Sequence, residues 1–268
     1  HLYFLDDHLF GNRRFASALF DGMKGMGRLW QAAGTVQAVL APDLLEKAVE
    51  AGLRSLFVGF ETLDPANLRE QGKTQNLGRD YEAAIRRLHS LGVMINGSFV
   101  FGMDGDDESV FDRTVDWAVA QGIETATFHI LTPYPGTVLY KRMAAAGRLL
   151  HSDWDRYDTR HVVHRPERMT AEQLEAGYWR AYERFYSWRS ILSGAATKPT
   201  FASGARHFAY AAGWKKFEPM WDLVIRGKRV MHLRPVLERV LAGVPKSTSK
   251  TSGRASAAGA AGDAAQAT

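Results

Sequence analysis

The 268-residue chain contains no cysteine. This excludes disulfides, thiolate zinc sites, thiol nucleophiles and any iron–sulfur cluster held by cysteines of these residues alone. No apolar run approaches the roughly 18 residues that suggest a membrane-spanning helix. The apolar residues Leu2–Leu5 are interrupted by Asp6 and Asp7 and are not preceded by basic residues, so they do not read as a signal peptide. A soluble, cytoplasmic protein with no transmembrane segment is the expectation. Acidic residues are scarce in one region: residues 165–268 carry 8 Asp/Glu against 17 Lys/Arg, a net of +9, whereas residues 1–164 carry 21 against 17. Such a basic third suits nucleic acid, acidic lipid or a solvated surface. No signature of a nucleic-acid module is present, so the solvated surface is preferred and no nucleic-acid partner is expected. The hydrophobic fraction, 46%, allows a core of ordinary size.

Three segments share one pattern: AGLRSLFVGFE (51–61), LGVMINGSFVFGMD (91–104) and QGIETATFHILTP (121–133). Each opens with Gly and an aliphatic residue and then runs almost continuously apolar. Glycine there suits the left-handed turn that ends a helix, and the apolar run suits a parallel strand buried on both faces. Helix-like stretches come before them. PDLLEKAVEAG places Pro42 at a first helical position with Leu45, Ala48 and Val49 on one face. RDYEAAIRRLHSLG aligns Tyr81, Ala84, Ile85, Leu88 and Leu91. DDESVFDRTVDWAVAQG offers Asp106 or Asp107 as a cap above Phe111, Val115 and Ala118. Leu2–Leu5 with NRRFASALFDGM, and 29–36, extend the pattern.

Strands are thus expected near 2–5, 29–36, 55–60, 94–101 and 125–131, separated by helices. Strict alternation implies a parallel sheet, either doubly wound or a β/α barrel, over residues 1–150. Beyond Arg148 the pattern gives way to a mainly helical extension over 151–244. Thr170 and Gln173 form a capping-box signature, followed by the stripe Leu174, Tyr178, Ala181, Phe185, Trp188 and Leu192. Further helices are expected at 219–232 and 235–241. Residues 245–268 are low-complexity and expected to be disordered.

In both candidate folds ligands bind at the carboxyl ends of the strands. Those ends carry Asp6, Asp7, Glu61, Asp104 and the turn TPYPGT from Thr132, which makes this rim the candidate site. Asp6, Asp7 and His8 have metal-ligand chemistry, but adjacent strand residues point to opposite faces, and a hydrogen-bonding role is preferred. Gly97 within a strand marks a bulge or the close approach of a backbone or flat ligand. GMDGDDE has neither the Lys-Ser/Thr of a phosphate loop nor the ligand ladder of a calcium loop. No catalytic acid or base can be singled out; Tyr134, His129 and Tyr157 lie near the expected mouth.

The stretches YFLDDHLFGN, LWQAAGTV, LFVGFETLDPANLREQGKTQN, INGSFVFGMDGDDESVFDRTVDWA, ILTPYPGTVLYKRMAAAGRLL and DWDRYD, in that order, resemble the radical S-adenosylmethionine (radical SAM) enzymes, in particular those with a cobalamin-binding domain. LEAGYWRAYERFYSWRSIL is similar to the C-terminal extension of some members, including lipid-modifying hopanoid methylases. The resemblance implies a partial (β/α)6 TIM-like barrel, here without its first strand. It implies S-adenosylmethionine, a [4Fe–4S] cluster on a CxxxCxxC loop, cobalamin, and a reductant such as ferredoxin or flavodoxin. The expected chemistry is a 5′-deoxyadenosyl radical or methyl transfer to a small-molecule or lipid-like substrate. Position by position, it implies that Asp6 and Asp7 contact the methionine amino group and Glu61 the ribose or methionine. Gly97, Phe99 and Gly102 would lie near adenine, and Thr132 and Pro133 at the adenine edge, with Gln31 and Gln37 as further candidates. Core packing is the competing account of Gly97 and Phe99.

The chain departs from that pattern in having no CxxxCxxC and no cobalamin-binding domain. The expectation is an N-terminally truncated piece, inactive alone, with an exposed strand edge where a first strand would pair. Two alternatives stand beside it: a non-catalytic barrel remnant binding a nucleoside-like ligand or a partner, and a divalent-metal β/α enzyme using Asp6, Asp7 and Glu61. The aromatic, basic C-terminal region suits a pocket for an apolar substrate, a membrane contact or a helical cap with Trp179, Trp188, Trp214 and Trp221 partly buried; the cap is preferred.

Overall fold

The computed structural model describes residues 1–6, 8–70 and 80–216. Five strands, β1 (Leu2–Tyr3), β2 (Trp30–Gly34), β3 (Leu53–Glu61), β4 (Met94–Phe101) and β5 (Thr125–Ile130), form one parallel sheet in sequential order. Between them lie α1 (Arg13–Met23), α2 (Val36–Leu40), α3 (Leu44–Glu50), α4 (Pro65–Glu70), α5 (Tyr81–Ser90) and α6 (Val110–Ala120). Then come α7 (Val138–Ala145), α8 (Ala171–Phe185), α9 (Trp188–Ala196) and α10 (Phe201–Lys216). Among the described residues the order never reverses, so they hold no topological switch point. The doubly wound alternative falls, and the sheet is a parallel half-barrel.

The local causes are legible. Gly52, Gly92 and Gly122, each ahead of a strand, have φ of +107°, +72° and +67°. At Gly52 a side chain is impossible, because a Cβ would lie 1.9 Å from the Arg28 carbonyl oxygen. Asn12 caps α1 by accepting from the Phe15 amide, and Asp80 caps α5 through the Ala83 amide. The helix-facing side of the sheet is an aromatic ladder. Phe60, Phe99, Phe128 and Phe101 stack in turn, with Trp117 and Phe111 of α6 edge-on against them. All four phenylalanines are at most 1% exposed, and each such burial is worth about 1.5–3 kcal/mol.

Several expectations are corrected. β1 spans only Leu2–Tyr3 and is exposed rather than doubly buried. Asp6 ends it by accepting from the His8 amide at 2.8 Å. Pro42 precedes α3 instead of opening it: its carbonyl accepts from the Leu44 amide around Asp43, which is held at φ 68°. Neither Asp106 nor Asp107 caps α6, which starts after Ser109. Asp107 binds the amide and hydroxyl of Ser109, while Asp106 turns inward. The apolar stripe on α8 stops at Phe185. Ser187 caps a new helix through the Ser190 amide, so Trp188 and Leu192 come out 50% and 57% exposed. The helices expected at 219–232 and 235–241, Trp221 and the tail 245–268 lie outside the described residues.

The outer edge of β5 is closed by side chains and by the extension. The Tyr186 hydroxyl accepts from the Ala126 amide and donates to its carbonyl. Tyr182 serves Phe128 in the same way, and the Thr159 carbonyl accepts from the Ile130 amide at 2.7 Å. At the start of the strands, buried Glu124 accepts from the Ile95 amide and from Lys198 Nζ, which also bonds the Gly122 carbonyl and His89. Burial by itself would raise the Glu124 carboxyl. The neighbouring His207 and His89 rings and the Lys198 charge outweigh it and hold the group well below the usual carboxylate range.

Candidate functional site at the strand tips

Because Phe60, Phe99 and Phe128 face the helices, strand alternation turns Asn96, Ser98, Thr127 and His129 to the other face. The Thr127 hydroxyl donates to Asn96 Oδ1 at 3.2 Å, which places the two on one side. At the tip of β3 the register shifts between Gly59 and Glu61, and Glu61 adopts φ 67°. Its Oε1 lies 3.0 Å from where a Gly59 Cβ would sit, so the missing side chain makes room for the carboxylate to fold back.

The carboxylate lies close enough to His129 to favour its protonated form. Burial outweighs this and lowers the His129 pKa, leaving a neutral imidazole near pH 7. His129 Nδ1 is 3.1 Å from the Thr159 hydroxyl. Thr159 is itself left-handed, at φ 66°. Asp158 holds it there by accepting from the Arg160 and His161 amides. A β-branched residue at positive φ is a true outlier, and such strain costs about 1–3 kcal/mol. Two strained residues, one ending β3 and one in the segment after α7, thus flank a half-buried imidazole near the carboxyl end of β5. A carboxylate, an imidazole and a hydroxyl together can recognise an ammonium or a vicinal diol.

The loops beneath are locked. Asp106, 1% exposed, accepts from the Gly102 and Met103 amides and from Asn67, which in turn accepts from the Gly105 amide. Burial still pushes its carboxyl up to about 6. His164 Nε2 donates to the Gly102 carbonyl at 3.0 Å, and its fully buried ring stays neutral because burial lowers its pKa.

The sequence-derived candidates sort as follows. Glu61 lies within electrostatic reach of His129, which contacts Thr159. Asp6 is exposed at the tip of β1, two strands away from β3, and is engaged with the His8 amide. Asp7 lies outside the described residues. Gln31 is half-buried on β2 opposite Ser55, and its carbonyl accepts from the Phe4 amide. Gln37 belongs to α2. Gly97 faces Phe99 and Ile123 on the helix side, and Phe99 is sealed in the aromatic ladder, so the packing account describes both. Gly102, at φ +91°, forms the turn after β4. Thr132 donates to the Ile130 carbonyl, and Pro133 is buried beside it. Asp104 is drawn away from the mouth into ion pairs with Arg148 and Arg142.

His129 stood unranked among the mouth residues, Tyr157 gives its hydroxyl to the His151 carbonyl, and Tyr134 is 45% exposed. Thr159, Asn96 and Thr127 escaped sequence reasoning. For Asn96 and Thr127 the alternation in INGSFVF and TATFHI was the signal, masked by an otherwise apolar run; Thr159 had none. Among the described residues no group of three or more His, Asp or Glu is arranged to hold a metal ion.

No family model matches the chain. It is 32% identical over 196 residues to a bacteriochlorophyllide d C-12(1)-methyltransferase of Chlorobaculum tepidum, covering 73% of this chain and 42% of that protein. It is 30% identical over 158 residues to a hopanoid C-2 methylase of Rhodopseudomonas palustris, covering 57% and 30%. Among solved structures, a radical S-adenosylmethionine methyltransferase, TsrM, from Kitasatospora setae with cobalamin and a [4Fe–4S] cluster bound superposes with a TM-score of 0.46 at 18% identity, over 68% of this chain and 37% of that one. The chain is therefore homologous to methyltransferases and spans less than half the length of these relatives.

Proposed function

We propose that the strand tips of this chain bind S-adenosylmethionine as one portion of a radical SAM methyltransferase acting on a small-molecule or lipid-like acceptor. The observation that carries this reading is the 32% identity, over 73% of the chain, to a methyltransferase. The tip geometry supports it. Glu61 is a carboxylate suited to a ribose diol or an ammonium, and His129 and Thr159 add a neutral donor–acceptor pair beside it. When bound, S-adenosylmethionine supplies the methyl group. The chain's own task is to hold the nucleoside and methionine ends in a fixed pose and to keep water from the reacting carbon. Asp6 at the tip of β1, Asp7 next to it in sequence, Gln31, and the backbone at Gly102, Thr132 and Pro133 belong to the same proposed contact set.

The residues present do not fit a thiolate-held [4Fe–4S] cluster, because the chain has no cysteine, and no step is routed through one. Cobalamin and a ferredoxin- or flavodoxin-like reductant belong to the proposal for a whole enzyme and have no assigned residues here.

Titration calorimetry of the chain with S-adenosylmethionine and S-adenosylhomocysteine tests the reading. Saturable binding is expected. Glu61→Gln should weaken it about ten-fold, the loss of one charge-assisted hydrogen bond, with the thermal melt of the variant checking that it folds. Absence of binding by both ligands, or unchanged affinity in the folded variant, would overturn it.

A further inference from the structure

At the strand-start end, α9 and α10 pack on each other through Ile191, Ala211 and Ala212, with His207 beneath Gly194. Lys198, between the two helices, fastens them to Glu124. Their outward side is apolar. Leu192 is 57% exposed, Phe201 93% and Phe208 37%. Phe208 stacks on half-exposed Trp188 with ring centroids 5.9 Å apart. Leu192, Phe201 and Phe208 line one shallow groove of about 600 Å³ together with Ala195, Ala196 and Ala205. These positions recur at helical spacing, so this is one amphipathic face made by two helices and not scattered exposure.

The two helices that make the face carry charge of one sign. No Asp or Glu occurs between Glu183 and Glu218, whereas six Lys/Arg do. Arg184 is taken up by Asp112 and Asp116, and Lys198 by Glu124. Arg189 and Arg206 enter no ion pair among the described residues, and Arg189 is exposed next to Trp188. We propose that the α9–α10 face docks on an anionic lipid bilayer, with Phe201, Leu192 and Phe208 entering the acyl boundary and Arg189 and Arg206 meeting the headgroup phosphates.

A bilayer offers an apolar layer and negative charge within a few ångströms of each other, which matches both halves of the face. A second copy of the same face would bring like charges together. A nucleic acid would satisfy the cations but leave Leu192 and the three alanines without an apolar partner. Because the fold closes beneath this face, its substitution leaves the core untouched.

Co-flotation of the full chain with vesicles tests the assignment. Binding is expected to phosphatidylcholine vesicles containing phosphatidylglycerol, and to be much weaker with phosphatidylcholine alone. Phe201→Asp and Leu192→Asp should each weaken it ten-fold or more. Arg189→Gln should weaken it about five-fold at low salt, the effect of one basic residue near an anionic surface. Unchanged circular dichroism in the variants excludes unfolding. Failure to float with anionic vesicles overturns the proposal. So does flotation that the Phe201 and Leu192 variants leave intact, which would assign binding to the basic residues beyond α10. Sedimentation showing a dimer that Phe201→Asp disrupts, without vesicle binding, would assign the face to self-association instead.

Discussion

The two edges of the sheet are finished by opposite physics. Along β5, the outward amides and carbonyls of Ala126 and Phe128 are met by tyrosine hydroxyls, and the Ile130 amide by the Thr159 carbonyl. Lys198 and Glu124 lock the base of that side, and Asp106 and His164 lock its top. Along β1 no further strand pairs among the described residues, and Leu2, Tyr3 and Leu5 are 44%, 56% and 84% exposed. That side is held instead by a run of rings, Phe4 on Trp30, Trp30 on Phe20, and Phe20 on Phe10. Polar closure demands a partner for each group, and those that meet the β5 edge itself, Tyr182, Tyr186 and Thr159, come from the extension. Ring packing demands only volume. The extension is therefore part of the sheet's structure and not an appendage to it, and it brings Thr159 to the mouth.

The comparison is broken most severely at Lys198. Lys198→Met should cost about 3–5 kcal/mol in urea unfolding, because it leaves Glu124 buried beside two histidines without its cation. Hydrogen exchange should rise first in β4 and β5 and least in β2. Equal loosening of both sides would show that the closures are not separate. Since Glu124 is held below its ordinary pKa, its stabilisation is present above the usual carboxylate range and fades as pH falls through and below it.

Asp106 has the opposite sign. Its carboxyl titrates near 6 in the fold and near 3.8 otherwise, so the folded state takes up its proton first as pH drops. Relative to Asp106→Asn, the natural chain should gain about 2–3 kcal/mol between pH 7 and pH 4, read from paired urea melts. A constant difference across that range would mean that its three donors, not burial, dominate.

The smallest effect is expected at the edge itself. Tyr186→Phe strips the Ala126 amide and carbonyl of their partner and should cost about 1–3 kcal/mol, with faster exchange at Ala126. An unaltered melt would mean that water replaces the hydroxyl, and the edge would then be less sealed than its geometry implies.

Much of the scaffold could be read from the chain. Glycine ahead of each apolar run, and apolar residues at steps of three and four between them, placed β3, β4 and β5 within a few residues. Caps misled where a carboxylate had two claims on it. Asp106 reads as a helix cap from its position, but the buried amides of Gly102 and Met103 take it. The stripe on α8 read as continuous because periodicity is blind to a cap at Ser187. At the mouth, Glu61 was legible as a polar residue ending a strand. Thr159 was not, because nothing in HSDWDRYDTRH marks a threonine that must turn left-handed to reach His129.

By itself, then, the sequence determined the alternation of helix and strand, the parallel sheet and the end of it where polar groups gather. Those follow from residue size, polarity and backbone freedom within a few neighbours. Only the tertiary structure decided which face each strand turns to the helices, which carboxylates are claimed by buried amides, and that His129 meets Thr159 within electrostatic reach of Glu61. Such meetings depend on the register of strands far apart along the chain and on the extension folding back over β5, and neither leaves a local signal.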